Sequence, residues 1–364
     1  MKRVLLVKYD MSHKGGSERI AVNLAKEMVD KYEVSLLSMQ MSNEKMTFSL
    51  DPRVEFICME RGHHKLGVLY MLLAIKHRER LNNRIWDVII CIGFETSLFP
   101  CLITSKNRRK IIFSEQNMLR NVYLKTRRIW FLRKFGVKHS DKVVVLSEDD
   151  YNDYCKCFNK YSQKICIIYN WIEDNLFSEN NIKYNLDSKS IITVSRISPM
   201  KNYEDVINVA KIIKDKCPDW HWDLYGFVEG EYGNKILGMI KDNDLEYFLT
   251  VKGHDSNLYD KYVNYAFLVH TSKTEPFGLA FIEAQAKRLP IVAYNGSGAM
   301  REIITDGING FLVQAGNYID MSDKILEMIN NQNTRKDMSM HTRDNFYKFD
   351  RKKIIDKWQE IIDE

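Results

Sequence analysis

A chain of 364 residues is too long for one ordinary core, so two domains are expected. Its composition, 45% apolar and 28% charged, excludes a disordered chain, and seven cysteines without paired spacings point to a reducing compartment. The net charge of +6 is modest, but it is unevenly spread.

The opening "MKRVLLVKYD" has a short apolar segment and no small-residue cleavage site, so no signal peptide is expected. "RVLLV", "EVSLLSM", "VEFICM", "DVIICIG", "KIIFSE" and "KVVVLS" read as buried strands. Amphipathic stretches separate them, as in "SERIAVNLAKEMVDKY", where Ile20, Leu24 and Met28 share a helical face. The longest apolar run, Gly67–Ile75, is far below the roughly 20 residues that cross a bilayer. A cytoplasmic protein is expected, with contact to a membrane surface left open.

Gly15 and Gly16 follow the first strand and precede a helix, where close backbone approach and unpaired N–H groups suit an anion. The spacing is not G-x-G-x-x-G, and an ordinary strand-to-helix turn is the competing reading. His13 lies two residues earlier, as either a ligand-facing or a solvated loop histidine. Between Lys106 and Lys138 stand eleven cations, with Glu115 the only acid. Within it, residues 118–138 interleave cations with Val122, Ile129, Trp130, Phe131, Leu132 and Phe135, which reads as an amphipathic helix for an anionic membrane surface. A core helix with a solvated charged face is the alternative.

A polar, strand-poor stretch near residues 173–188 reads as a linker, and the strand–helix pattern then begins again. "SIITVSR", "HWDLYG", "YFLTVKG", "YAFLVHTS" and "PIVAYN" are its strands, with "YEDVINVAKIIKD" and "DMSDKILEMIN" among its helices. Two doubly wound parallel sheets facing each other across a cleft are predicted: an N-terminal domain over 1–172 and a C-terminal one over 189–345. An amphipathic helix over 346–364 is expected to pack back toward the first. In such sheets ligands bind beyond the carboxyl ends of the strands.

Arg196 at a strand end and Lys201 in the next loop are suited to a diphosphate, although two solvated cations would look the same. Glu275 precedes Pro276, Phe277, Gly278 and Leu279, which open a helix whose amides point at whatever lies before it. Glu283 lies two turns into that helix and reaches back toward the same edge. Read by spacing alone, the pair is equally a dipole-stabilising Glu and a solvent-face Glu.

Glu275 and Glu283, spaced around Phe-Gly-Leu, resemble the signature of the retaining glycosyltransferases of family 4, which have the GT-B fold. Gly15-Gly16-Ser17-Glu18-Arg19, Arg196 with Lys201, "IIYN" ending at Asn170 and "DGINGFLV" (Asp306–Val313) fall in the family's order, across essentially the whole chain. The resemblance implies a nucleotide-diphosphate sugar donor, most often a UDP-sugar, held mainly by the C-terminal domain. Glu283 would bind the ribose hydroxyls and Glu275 the donor sugar near the reacting carbon. Arg196 and Lys201 would hold the diphosphate, and Gly16 with the amides of Phe277, Gly278 and Leu279 would complete the cradle. It also implies retained anomeric configuration and no required metal or other cofactor. The acceptor would be a saccharide or lipid-linked saccharide of a bacterial surface polymer, used at the inner face of the cell membrane.

One departure concerns a histidine that many relatives carry after "KIIFSE". Gln116 stands there, beside Asn117. A glutamine cannot take a proton, so either His13 serves or no side-chain base is used. "DND" (Asp242–Asp244) has the letters of the metal motif of the other glycosyltransferase fold, but it ends a polar helix. An oxidoreductase lacks its glycine fingerprint, and the aromatics of the basic segment follow helical spacing rather than a nucleic-acid stacking platform. A non-hydrolysing sugar-nucleotide epimerase of the same fold is the remaining alternative.

Overall fold

The computed structural model describes residues 1–121, 125–171, 182–228, 230–255 and 257–364. The chain forms two compact units, one of residues 1–170 with 352–364 and one of residues 171–351. Of the expected linker, residues 173–181 lie outside the described residues, and 182–188 belong to the second unit. The final segment divides later than expected. Phe349 is buried in the second unit with its ring edge-on to Phe277 (5.4 Å), and only the helix beyond it joins the first.

The first unit runs β1 (Arg3–Asp10), α1 (Gly16–Met28), β2 (Glu33–Met41), β3 (Glu55–Arg61), α2 (Leu66–Lys76), β4 (Trp86–Ile92), β5 (Arg108–Ser114), α3 (Arg127–His139), β6 (Lys142–Val145), α4 (Glu148–Cys157) and β7 (Ile165–Ile167). Its strands pair in parallel in the order β3-β2-β1-β4-β5-β6-β7. Branched runs such as Val4–Val7 are fully buried, as a sheet covered on both faces requires. Ile20, Leu24 and Met28 of α1 are buried as their spacing predicts.

The second unit runs β8 (Ser190–Val194), α5 (Tyr203–Lys216), β9 (His221–Tyr225), α6 (Gly230–Asp242), β10 (Leu249–Gly253), β11 (Phe267–His270), β12 (Thr274–Glu275), α7 (Leu279–Ala286), β13 (Ile291–Asn295), β14 (Ser297–Gly298), β15 (Gly310–Gln314), α8 (Tyr318–Asn330) and α9 (Gln332–His341). Its main sheet has the order β10-β9-β8-β11-β13-β15, and β12 pairs with β14 apart from it. The last helix, α10 (Arg351–Asp363), belongs to the first unit from residue 352. Lys2 and Lys31 pair with its Asp363 at 3.0 and 2.7 Å.

Each sheet reverses its strand order once, between β1 and β4 in the first unit and between β8 and β11 in the second. Connections leave such a point toward opposite sides, so the loops after these strands splay and leave room for a ligand. Every cluster described next lies beyond one of these reversals or in the loop after β5.

Candidate active site

In the second unit the loops after β8 and β11 are laced together. Thr271 Oγ1 donates to the Lys201 carbonyl (2.9 Å) and Ser272 Oγ to that of Met200 (3.1 Å). This brings Lys201 Nζ onto Glu275 Oε2 as an ion pair with both side chains mostly buried. His270, the last residue of β11 and 3% exposed, sets its Nε2 3.3 Å from the same oxygen. Burial opposes ionisation of Glu275, but the Lys201 ammonium and the His270 contact outweigh it and hold the carboxyl down to about 2. Burial lowers the His270 pKa, so the ring is neutral at pH 7. An ionised Glu275 can only accept, so Nε2 carries the proton and Nδ1 presents a lone pair. That Nδ1 is buried without a partner among the described residues.

Gly278 makes the turn possible. Its φ is +83°, and a Cβ there would lie 2.7 Å from the Phe281 ring and 3.1 Å from Glu275 Cγ. Phe277 turns its side chain into the core at 2% exposure, so only its main chain can serve a ligand. Leu279 opens α7, with Gly278 at its N-cap. Glu283, about one turn into the helix and not the two expected, is buried and accepts from Tyr259 Oη (3.1 Å) and Tyr262 Oη (3.4 Å). Arg196 stands exposed two residues past β8, on the same loop as Lys201. Asp306 of the "DGINGFLV" motif accepts from Leu312 N (2.9 Å) and so fixes the entry to β15. Asp242 ends α6, and the Asp244 carbonyl accepts from Lys214 Nζ (2.8 Å).

Three of these residues escaped the sequence reading. His270 had a signal, as the one titratable side chain in an otherwise apolar strand. Tyr259 and Tyr262 had only an i, i+3 spacing, which nothing tied to Glu283 until the fold did.

In the first unit, Gly15 and Gly16 do sit at the N-terminus of α1. The structure adds an occupant there: a Cβ on Gly15 would lie 2.3 Å from Glu18 Oε2, so the chain's own carboxylate fills this space. Lys8, buried at the end of β1, pairs with Glu18 Oε1 at 3.0 Å. His13 is half exposed, with Nε2 3.6 Å from the buried carboxylate of Asp10.

The loop after β5 is built around Glu115, whose side chain has no exposure. Its Oε1 accepts from the amides of Gln116 and Asn117, both at 3.0 Å. Its Oε2 accepts from Arg133 Nε (2.8 Å) and Tyr154 Oη (2.7 Å). Gln116 Nε2 in turn donates to Ser114 Oγ (2.9 Å), so both acceptor-side candidates are held from beneath. The buried Asp150 accepts from Leu119 N at 2.9 Å, and burial pushes its carboxyl up to about 7. Unfolded, an Asp titrates near 3.9. Between these values the folded chain keeps a proton that the unfolded chain has lost, so this group's contribution to stability falls as pH rises. The melting temperature should therefore decline from about pH 4 to about pH 7 by an amount that Asp150→Asn removes; equal slopes in the two proteins would refute this reading.

The expectation of one basic amphipathic helix over 118–138 is corrected. The helix covers only Arg127–His139, Val122 lies outside the described residues, and Arg133 is a buried partner of Glu115 rather than a surface cation. The eleven cations also do not share a surface. Arg109, at the start of β5, pairs with Asp87 (3.4 Å), whereas Arg120, beyond the end of β5, pairs with Asp153.

Known proteins match this chain in sequence and in fold. The model of "Glycosyltransferase Family 4" matches residues 14–176 and that of "Glycosyl transferases group 1" matches residues 175–345. An uncharacterised glycosyltransferase of Haemophilus influenzae is 26% identical with both chains fully covered. The poly(ribitol-phosphate) alpha-N-acetylglucosaminyltransferase of Staphylococcus aureus is 29% identical over 55% of this chain and 42% of its own. A Campylobacter jejuni alpha-N-acetylgalactosaminyltransferase, whose name gives a diphospho-undecaprenol acceptor, is 23% identical over 93% of this chain and 94% of its own. Among solved structures, S. aureus TarM bound to UDP aligns with a TM-score of 0.81 at 17% identity, and Anabaena HepE bound to UDP and glucose with 0.80 at 18%, each over 100% of both chains. Both matched models are of glycosyltransferases, and the two parallel sheets are those of the GT-B fold. The chain belongs to the GT-B glycosyltransferases of the family 4 type. The oxidoreductase and epimerase readings fall away.

Proposed function

We propose that this enzyme transfers a sugar with retention from a nucleotide-diphosphate sugar, of the UDP class, to a saccharide or lipid-linked acceptor of a bacterial surface polymer, without a required metal. The observation that carries the proposal is the contact of Lys201 and His270 with Glu275, one helix turn and a glycine away from the tyrosine-held Glu283. A donor lying along this edge meets a carboxylate for its ribose hydroxyls, cations for its diphosphate and a carboxylate beside its sugar. Lys201, with three N–H donors, can hold Glu275 and a phosphate oxygen together, and Arg196 adds a second cation, which is the work a divalent ion would otherwise do. In the reaction the bond from the anomeric carbon to the diphosphate oxygen breaks, the acceptor oxygen bonds to the same face, and its proton passes to the leaving phosphate. The UDP in TarM and HepE and the alpha-transferase names of the relatives support this reading. His13, Gln116 and Asn117 are the proposed acceptor-side residues, with Gln116 binding a hydroxyl without taking its proton.

We further propose that the first unit meets an anionic membrane at the cytoplasmic face; among the described residues no helix is long and apolar enough to cross one. Thermal shift against UDP-, GDP-, ADP- and CMP-sugars, with and without EDTA, tests the donor. A midpoint rise with UDP-sugars, unchanged by EDTA and lost in Glu283→Gln, is expected. A rise with another nucleotide alone, or one abolished by EDTA, would overturn the donor class or the metal independence respectively.

A further inference from the structure

The longest apolar run of the sequence forms α2, and the sheet covers only one side of it. Leu69 and Leu73 are buried and Tyr70 turns inward to donate to the Glu95 carbonyl (2.8 Å). On the outer arc Val68, Met71 and Ile75 are 44, 53 and 74% exposed, and Gly67 and Ala74 are exposed beside them. At 100° per residue these positions form one continuous strip opposite Leu69 and Leu73. No charged side chain interrupts the helix between Lys65 and Lys76. The other surface helices are built differently: α5 keeps Glu204, Asp205, Lys211 and Lys214 outside its buried face. Contiguous exposed apolar surface of this kind marks an interaction site.

Both ends of the strip are cationic. Lys65 precedes it, while Lys76, Arg78 and Arg80 follow, with Glu79 the one acid among them. Lys76 and His77 share Glu60 at 3.5 and 2.8 Å. The N-terminus of α3 lies nearby: Tyr9 Oη donates to the His64 carbonyl (3.0 Å), and Arg128 is close enough for its charge to act on the same hydroxyl. There Trp130 and Phe131 are 44 and 55% exposed, beside Arg127 and Arg128.

We infer that α2 is the element that enters the bilayer, lying in the plane of an anionic leaflet with Met71 and Ile75 among the acyl chains and its cationic ends at the headgroups. The inference deepens the membrane contact proposed above and rests on that reading. At 1.5 Å per residue an eleven-residue helix is about 16 Å long, suited to lying in the interface and not to crossing it. A second copy of the chain fits less well. An antiparallel pairing of two such strips would set Lys65 of one copy against Lys76 of the other, like charge against like.

The test is co-sedimentation of the full chain with vesicles of phosphatidylglycerol and phosphatidylcholine, at low and at high salt. Cations alone would release at high salt, whereas acyl insertion persists. Wild-type protein should stay bound at high salt, and Met71→Glu with Ile75→Glu should weaken that binding about tenfold or more. Tyr347→Glu, exposed in the second unit, should change nothing. Should the double glutamate variant melt early, Val68→Ser with Met71→Ser carries the same comparison. Three results would each overturn the inference. One is no vesicle binding by wild-type protein, and another is equal binding by wild type and variant. The third is a wild-type dimer split by the same variant without vesicle binding, which would assign the strip to a second copy. No nucleotide sugar enters this assay, so its failure leaves the donor reading standing.

Discussion

Replacing Glu275 with glutamine is expected to lower the turnover number for sugar transfer about 10²–10³-fold while leaving the protein folded. Glutamine preserves the shape of the turn at Gly278 and keeps one oxygen for Lys201 or His270. It removes the charge that keeps Nε2 of His270 protonated and orients Lys201, and its amide can now donate where the carboxylate could only accept. If Glu275 stands beside the reacting carbon as proposed, the effect should appear in the turnover number more than in KM, because a group there acts chiefly as charge develops. The proposal makes a second demand: the rate of wild-type enzyme should show no loss from Glu275 protonation down to about pH 4, since this carboxyl is held near 2. A Glu275→Gln enzyme within about threefold of wild type would remove Glu275 from the chemistry.

The second large effect concerns stability. Arg133→Met should cost about 3–5 kcal/mol, because it leaves Glu115 as a buried charge without its cation. For a unit of this size the melting temperature should fall by about 6–20 °C. Met118, Gln116 and Asn117 should loosen with it, since Arg133 Nη2 holds the Met118 carbonyl (3.0 Å) and Glu115 holds the two amides. Glu115→Gln with Arg133→Met, which removes both charges, should recover much of the loss. A double variant as unstable as the single would show that shape rather than charge sets the cost.

Periodicity alone carries most of the architecture. The buried strands are continuous branched runs, and each sits where its run sits. Ile165–Ile167 was missed because three residues carry no period, and β15 because Gly310 opens it without an apolar lead. The two carboxylates of the proposed donor edge were legible as letters, but their partners were not. Tyr259 and Tyr262 meet Glu283 only because the short helical turns before β11 bring their hydroxyls onto α7. The basic segment misled for a related reason. A count of charge along a chain has no direction in space, and β5 carries its own cations to one end of the sheet and delivers those of the next loop to the other. Arg133 then turns inward, where its partner Glu115 was the one acid in the segment. The exposed face of α2 was in plain view as nine apolar letters, but a run of that length reads as core until the sheet is seen to cover only half of it.

The last helix sets an order of assembly. Ile354, Ile355, Trp358, Ile361 and Ile362 are buried, and they belong to the unit whose first strand begins at Arg3. On the ribosome those residues emerge after the whole second unit has been made. The second unit can therefore close while the first still waits with an uncovered flank. Domains usually complete themselves in the order of synthesis; here the earlier one must finish last, and a chain cut just after residue 350 should leave it open to proteases while its neighbour remains intact.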